Sequence, residues 1–187
     1  MNSRILDRQG DAEVVQAEGF QGEAGILRLF NCQLLWPPAA QSTCVPDSTY
    51  QSPVLERLGK AQNPVYDQVC WELQQGLKMT YWMWFIFPQI EGLSSSTMSK
   101  RFAIYWLEEA AAYLNHPVLG VRLKQCTELV INTSGRTLKQ ILGPTDNLKF
   151  RSSMTLFAHA AAENQVFETA LTKYFSEGYD QLTLDRL

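Results

Sequence analysis

The sequence predicts an all-α, multihelical single domain with short connecting loops. Two observations carry that expectation. Apolar residues recur at helical spacing in segment after segment, as at Val65, Val69 and Leu73. Capping residues and glycines separate those segments by a few residues, as is usual between packed helices. The run Trp82 to Pro88 could be a buried strand, since aromatics suit pleated surfaces, but the chain offers no good strand to pair with it. Periodicity cannot decide an all-apolar run, so a short helix or an irregular buried segment is expected there.

Residues 1–52 read as an acidic extension and linker, and the helical domain is expected over 53–187. The first 20 residues are polar and without periodicity, and read as disordered. Ile26, Leu29, Phe30 and Leu34 share a face, so a short helix over 23–35 is expected, ended by Pro37-Pro38. A Pro-, Ser- and Gln-rich linker follows to Pro53. This part holds three basic and six acidic residues, so it carries the whole net charge of -3 and the remainder is neutral.

Within the domain, Val54 to Gln62 reads as a short helix. Asn63-Pro64 then offers an N-cap and a first-turn proline for a helix closed by Gly76. Glu91 to Ser99 is a loop, and Lys100 to Ile104 a helical turn. Leu107 to Leu114 is helical, with Glu108 and Glu109 in the turn where the dipole favours acids. His116-Pro117 restarts the chain into Val118 to Ile131. Thr137 caps a short helix ending at Gly143. Pro144-Thr145-Asp146 opens a long helix to about Ala162, with Phe150, Met154 and Phe157 facing the core. Asn164 or Gln165 opens another, and Thr183 to Leu187 adds a final turn.

Bulk composition excludes several classes. With a pI near 5.4, no global positive field attracts nucleic acid or an anionic membrane. No apolar run approaches the roughly 20 residues of a membrane span, and residues 1–20 lack a secretory pattern. Cys32, Cys44, Cys70 and Cys126 show no C-x-x-C spacing, and the only histidines are His116 and His159, so no metal site is expected. Reduced thiols fit a cytoplasmic protein. Neither G-x-G-x-x-G after a strand, G-x-x-x-x-G-K-[ST] nor G-x-S-x-G occurs, so no cofactor is assigned.

Candidate site residues cluster in two stretches. Trp82 and Trp84 could line a pocket for a flat ligand or simply fill the core. Gln89 could read a ligand through its amide or satisfy a loop backbone. His116 could act as a base or cap the helix it opens. Lys149, Ser152 and Ser153 share a helix face near a dipole-positive end, where an anion is favoured, although Asp146 opposes it. The Trp82–Gln89 stretch is expected to lie against the Phe150, Met154, Phe157 face, which would bring both groups around one concave site.

Four blocks carry a resemblance: Tyr-Trp-Met-Trp-Phe-Ile-Phe-Pro-Gln at 81–89, Leu-Glu-Glu-Ala at 107–110, Tyr-Leu-Asn-His-Pro-Val-Leu-Gly at 113–120 and Leu-Lys-Phe-Arg-Ser-Ser-Met-Thr-Leu-Phe at 148–157. From about Pro53 onward the chain resembles a bacterial domain-of-unknown-function family whose members are often labelled "calpastatin". The resemblance implies an all-helical fold. Protease inhibition, which the label suggests, has no feature here to support it. Tyr81 stands where the family usually has His, and Asn147 where it often has a second Asp. Tyr105 and Trp106 are larger than the residues usual there. The ligand expected is small and anionic or polar, bound by Tyr81, Trp82, Trp84, Gln89, His116, Lys149, Ser152 and Ser153. A phenol is a poor substitute for imidazole as a base, so no catalytic residue is assigned. A non-catalytic protein-interaction module, as monomer or homodimer, is the alternative.

Overall fold

The structure, a computed structural model, describes residues 52–187. The expected helix over 23–35 and the expected linker lie outside the described residues. Among the described residues ten helices follow in order: α1 Pro53–Gln62, α2 Tyr66–Gln74, α3 Met83–Ile86, α4 Thr97–Phe102, α5 Leu107–Asn115, α6 Leu119–Asn132, α7 Leu138–Leu142, α8 Asp146–Ala160, α9 Gln165–Tyr174 and α10 Gln181–Leu184. The only β-type pairing among them is one isolated parallel bridge, Ile90 to Ile104. The all-α expectation therefore holds, and the apolar run resolves as the single turn α3 with buried flanks.

Helix α8 is the axis of the domain. It packs against α5, α7, α9 and α10. Its buried residues fall on more than one face, from Phe150 through Ser153, Met154 and Phe157 to Ala158. A helix apolar around most of its circumference must be enclosed, because each exposed large side chain would forfeit about 1.5–3 kcal/mol of burial. Phe157 is flanked by Tyr113 at 5.2 Å and Phe167 at 5.9 Å between ring centres. Phe87 meets Phe150 edge-on at 4.9 Å, which joins the apolar run to α8 as expected.

Local chemistry explains most boundaries. Ser52 caps α1 and donates to Glu109 at 2.8 Å, tying the start of α1 to α5. Thr137 and Gln140 form a reciprocal capping box on α7. Asn63 does not cap α2. It ends α1 in helical conformation, and its side chain accepts from Arg122 at 2.9 Å. Thr145 likewise makes no capping bond to α8. Helix α4 begins earlier than expected because Ser96 accepts from the Ser99 amide.

The segment between α2 and α3 is held by a buried carboxylate. Glu72 accepts from the Met79 amide at 2.7 Å, the Thr80 amide at 3.1 Å, the Thr80 hydroxyl at 2.6 Å and the Trp82 indole at 2.7 Å. Gln68 adds a fifth bond at 3.2 Å. Burial opposes the charge, yet these donors outweigh it and hold the carboxyl down to about 2. At Gly120, a methyl group would sit 2.0 Å from the Leu114 carbonyl, so α5 and α6 approach as closely as they do only with glycine there.

Glu72→Ala should cost at least about 3 kcal/mol in urea denaturation, because several buried donors lose a charged acceptor together. The folded-state value of Glu72 lies below its unfolded one. Its contribution is complete above the ordinary glutamate range and is lost as pH falls towards about 2. Glu72→Gln should therefore flatten the loss of stability across that acid window. Gly120→Ala should reach or exceed the top of the ~1–3 kcal/mol overpacking range, read as a lower melting temperature.

Candidate functional site

A compact group of charges forms where the start of α8 meets the segment that Glu72 holds. The Asp146 carboxylate takes Lys78 Nζ at 2.9 Å on one oxygen and Lys149 Nζ at 2.8 Å on the other. Lys78 is placed there by its own backbone, whose amide donates to the Ile141 carbonyl at 2.7 Å. All three side chains are well covered, at 11%, 15% and 17% exposure for Lys78, Asp146 and Lys149. The Lys149 ammonium also lies 4.6 Å from the ring centre of Trp84, and that of Lys78 5.3 Å from the ring centre of Trp82.

Two ammoniums against one carboxylate leave this shielded cluster with an excess positive charge. Burial opposes ionisation of Asp146, but the hydrogen bonds and charges of Lys149 and Lys78 prevail and lower its pKa. The Trp84 indole N–H is buried and has no partner. Trp84 also lines a cavity of about 10 Å³ with Gln89, Ile90, Ser99 and Phe102. That volume holds about one water molecule.

The expected residues separate into distinct roles. Trp84 and Lys149 are brought into direct contact, and Gln89 shares the cavity beside Trp84. Trp82 is buried, with its indole committed to Glu72, so it is a wall of the core. Trp84 is half-buried, so Trp82 is the fully buried indole of the run. Tyr81 is 83% exposed. Ser152 shares a helix with Lys149 but donates to Asp180 at 2.8 Å and to the Leu148 carbonyl, which docks the turn before α10. Ser153 is fully buried and its hydroxyl is unpartnered. His116 Nδ1 accepts from the Val118 and Leu119 amides, both at 3.2 Å, and caps α6.

Sequence reasoning missed Lys78 and misjudged Asp146. The acid was expected to cap α8 and repel anions. It does not cap, and two cations outweigh it. Spacing could reveal Asp146 and Lys149, which stand at i, i+3, but Lys78 arrives only through the tertiary fold.

Residues 52–187 match a protein-family profile described as "Protein of unknown function (DUF1810)". The crystal structure of the conserved hypothetical protein Rv1873 from Mycobacterium tuberculosis is 50% identical. That match covers 71% of this chain and 95% of the other, with a TM-score of 0.70. No curated protein matches the chain. No described helix is long and apolar enough to cross a membrane, and among the described residues no cluster of His, Cys, Asp or Glu could hold a metal.

Lys78→Ala should raise the pKa of Asp146, because one of its two stabilising cations is gone. A carboxyl-carbon NMR titration against pH reads this directly. The same substitution should reduce the share of stability that is present above the ordinary aspartate range and lost as pH falls below it.

Proposed function

The chain belongs to the DUF1810 family, proteins of unknown function, and on that premise we propose that it binds a small anionic or polar ligand at the Lys149–Trp84 corner. The observation that supports this reading is the shielded pair of ammoniums around a single carboxylate, with the indole face of Trp84 against Lys149. Charges so well covered are costly to hold unless they are paired, and one positive charge here is not. An arriving anion would complete the set. The start of α8 adds a favourable dipole, since α8 is 15 residues long. The unpartnered Trp84 N–H is a donor in reserve, and leaving it unmade costs about 1–3 kcal/mol. Gln89 offers an amide beside it, and Tyr81 a freely exposed phenol near in sequence.

The free space beside Trp84 is small, so ligand entry involves movement of the 91–99 loop or binding at the mouth of the corner. Binding, and not turnover, is the function proposed. His116, Ser152 and Ser153, expected with this group from the sequence, are committed to a cap, to the α10 turn and to the core.

The alternative, a protein-interaction module, draws on a different observation. Tyr105 and Trp106 stand 46% and 57% exposed with ring centres 5.7 Å apart. Adjacent exposed aromatics of this kind are enriched at protein interfaces.

A thermal-shift screen of phosphorylated and carboxylated metabolites tests the ligand reading. A ligand of the corner should raise the melting temperature by mass action, and the rise should vanish in Lys149→Ala and shrink in Trp84→Phe, which removes only the N–H and part of the ring. A rise that both variants retain, or no rise with any anion, would leave the interaction reading as the better one.

A further inference from the structure

We propose that a second, separate groove, bounded by α7, the outer side of α8 and the end of α9, binds a small organic anion that carries an apolar body. The groove has a volume of about 680 Å³, within the range of small-molecule sites. Four basic residues line it: Arg136, Lys139, Arg151 and Lys173. Glu177 is the one acid among its lining residues. The domain as a whole is neutral, so this is a local concentration of positive charge.

The four cations are not equivalent. Arg151 spends its donors on the Gly178 and Tyr179 carbonyls and on Glu177, each at 3.0 Å, and so builds the wall. Lys173 donates to the Ile131 and Thr133 carbonyls at the end of α6. Arg136 gives a single long bond, 3.4 Å, to the Gly76 carbonyl. Lys139 is exposed and has no hydrogen-bond or ion-pair partner among the described residues. Lys139 and Arg136 are therefore the cations available to an anion. Hydrogen bonds to carbonyls leave the charge of the other two in place, and they add to the field.

A second observation points to a ligand. Asn147 lines the groove and is 6% exposed, yet its amide oxygen makes no hydrogen bond. A buried polar atom without a partner carries a cost of about 1–3 kcal/mol, which a ligand donor would remove. Phe175 and Leu148, the latter 60% exposed, supply apolar surface in the same groove. Cations, a spare amide and apolar walls together suit an organic phosphate or carboxylate with an aromatic or aliphatic body. A bare inorganic anion would leave the walls and the Asn147 amide unused.

The test is calorimetric titration of the full-length protein with 1-naphthyl phosphate, beside inorganic phosphate. We expect one naphthyl phosphate per groove, bound more tightly than inorganic phosphate. Lys139→Glu should weaken it by at least about tenfold, since an attractive charge becomes a repulsive one at an exposed position. Asn147→Leu should weaken it too, while binding to the groove persists in Lys149→Ala. Lys139 is outside the core, so Lys139→Glu folds even if Asn147→Leu does not. No binding by the wild-type protein overturns the proposal. So does binding that Lys139→Glu leaves unchanged, or that only Lys149→Ala removes, which would place the probe at the other site. Equal affinity for inorganic phosphate would overturn the ligand class.

Discussion

A single buried carboxylate decides how the first half of the domain is arranged. Glu72 gathers two backbone amides, a hydroxyl and an indole from residues 79–82 onto the side of α2. Without regular structure of its own, that segment has amides that need acceptors once they are covered. Glu72 supplies them, and the bond to the Trp82 indole sets the angle at which the apolar run enters the core. Everything after Trp82 inherits that angle: α3, the Phe87–Phe150 contact and the position of Lys78 above Trp82. An ionised group is the suitable acceptor, because charge-assisted bonds are about twice as strong as neutral ones.

The second organising element is α8, enclosed on several sides. Its middle is packed with aromatics, so its first turn is presented at a fixed place beside the segment that Glu72 holds. The Lys78, Asp146, Lys149 and Trp84 group exists because these two constraints meet. Its charges sit on rigid supports, which is what a binding site needs to hold a ligand in one geometry. The other side of the same first turn carries Asn147 and faces the basic groove. One helix start thus serves two environments, each with more positive than negative charge.

Much of the candidate corner is legible in the sequence. Trp84 and Lys149 follow from the aromatic run and from the polar start of a long apolar helix, and the expectation that these two stretches lie together rests on the need of an all-apolar segment for partners. The remaining expected residues are harder to place from spacing. Ser152 and Lys149 share a helix face on paper, yet one side chain turns to Asp180 and the other to Asp146, because each hydroxyl or ammonium takes the nearest acceptor that folding provides. His116 reads equally as base or cap, and only the Val118 and Leu119 amides on its Nδ1 decide between them.

By itself the sequence determined the helical class, most helix boundaries and the aromatic core, since these follow from local spacing, capping and the burial of large rings. Tertiary structure alone decided which indole is buried and which is half-open, and which acid is a hub. Glu72 and Lys78 carry no local signature: a glutamate on an amphipathic helix and a lysine in a loop look like solvated surface residues. Their roles come from partners as many as ten and 68 residues away along the chain, at Trp82 and Asp146. Contacts of that reach are set by how whole elements pack, and no local pattern in the chain encodes them.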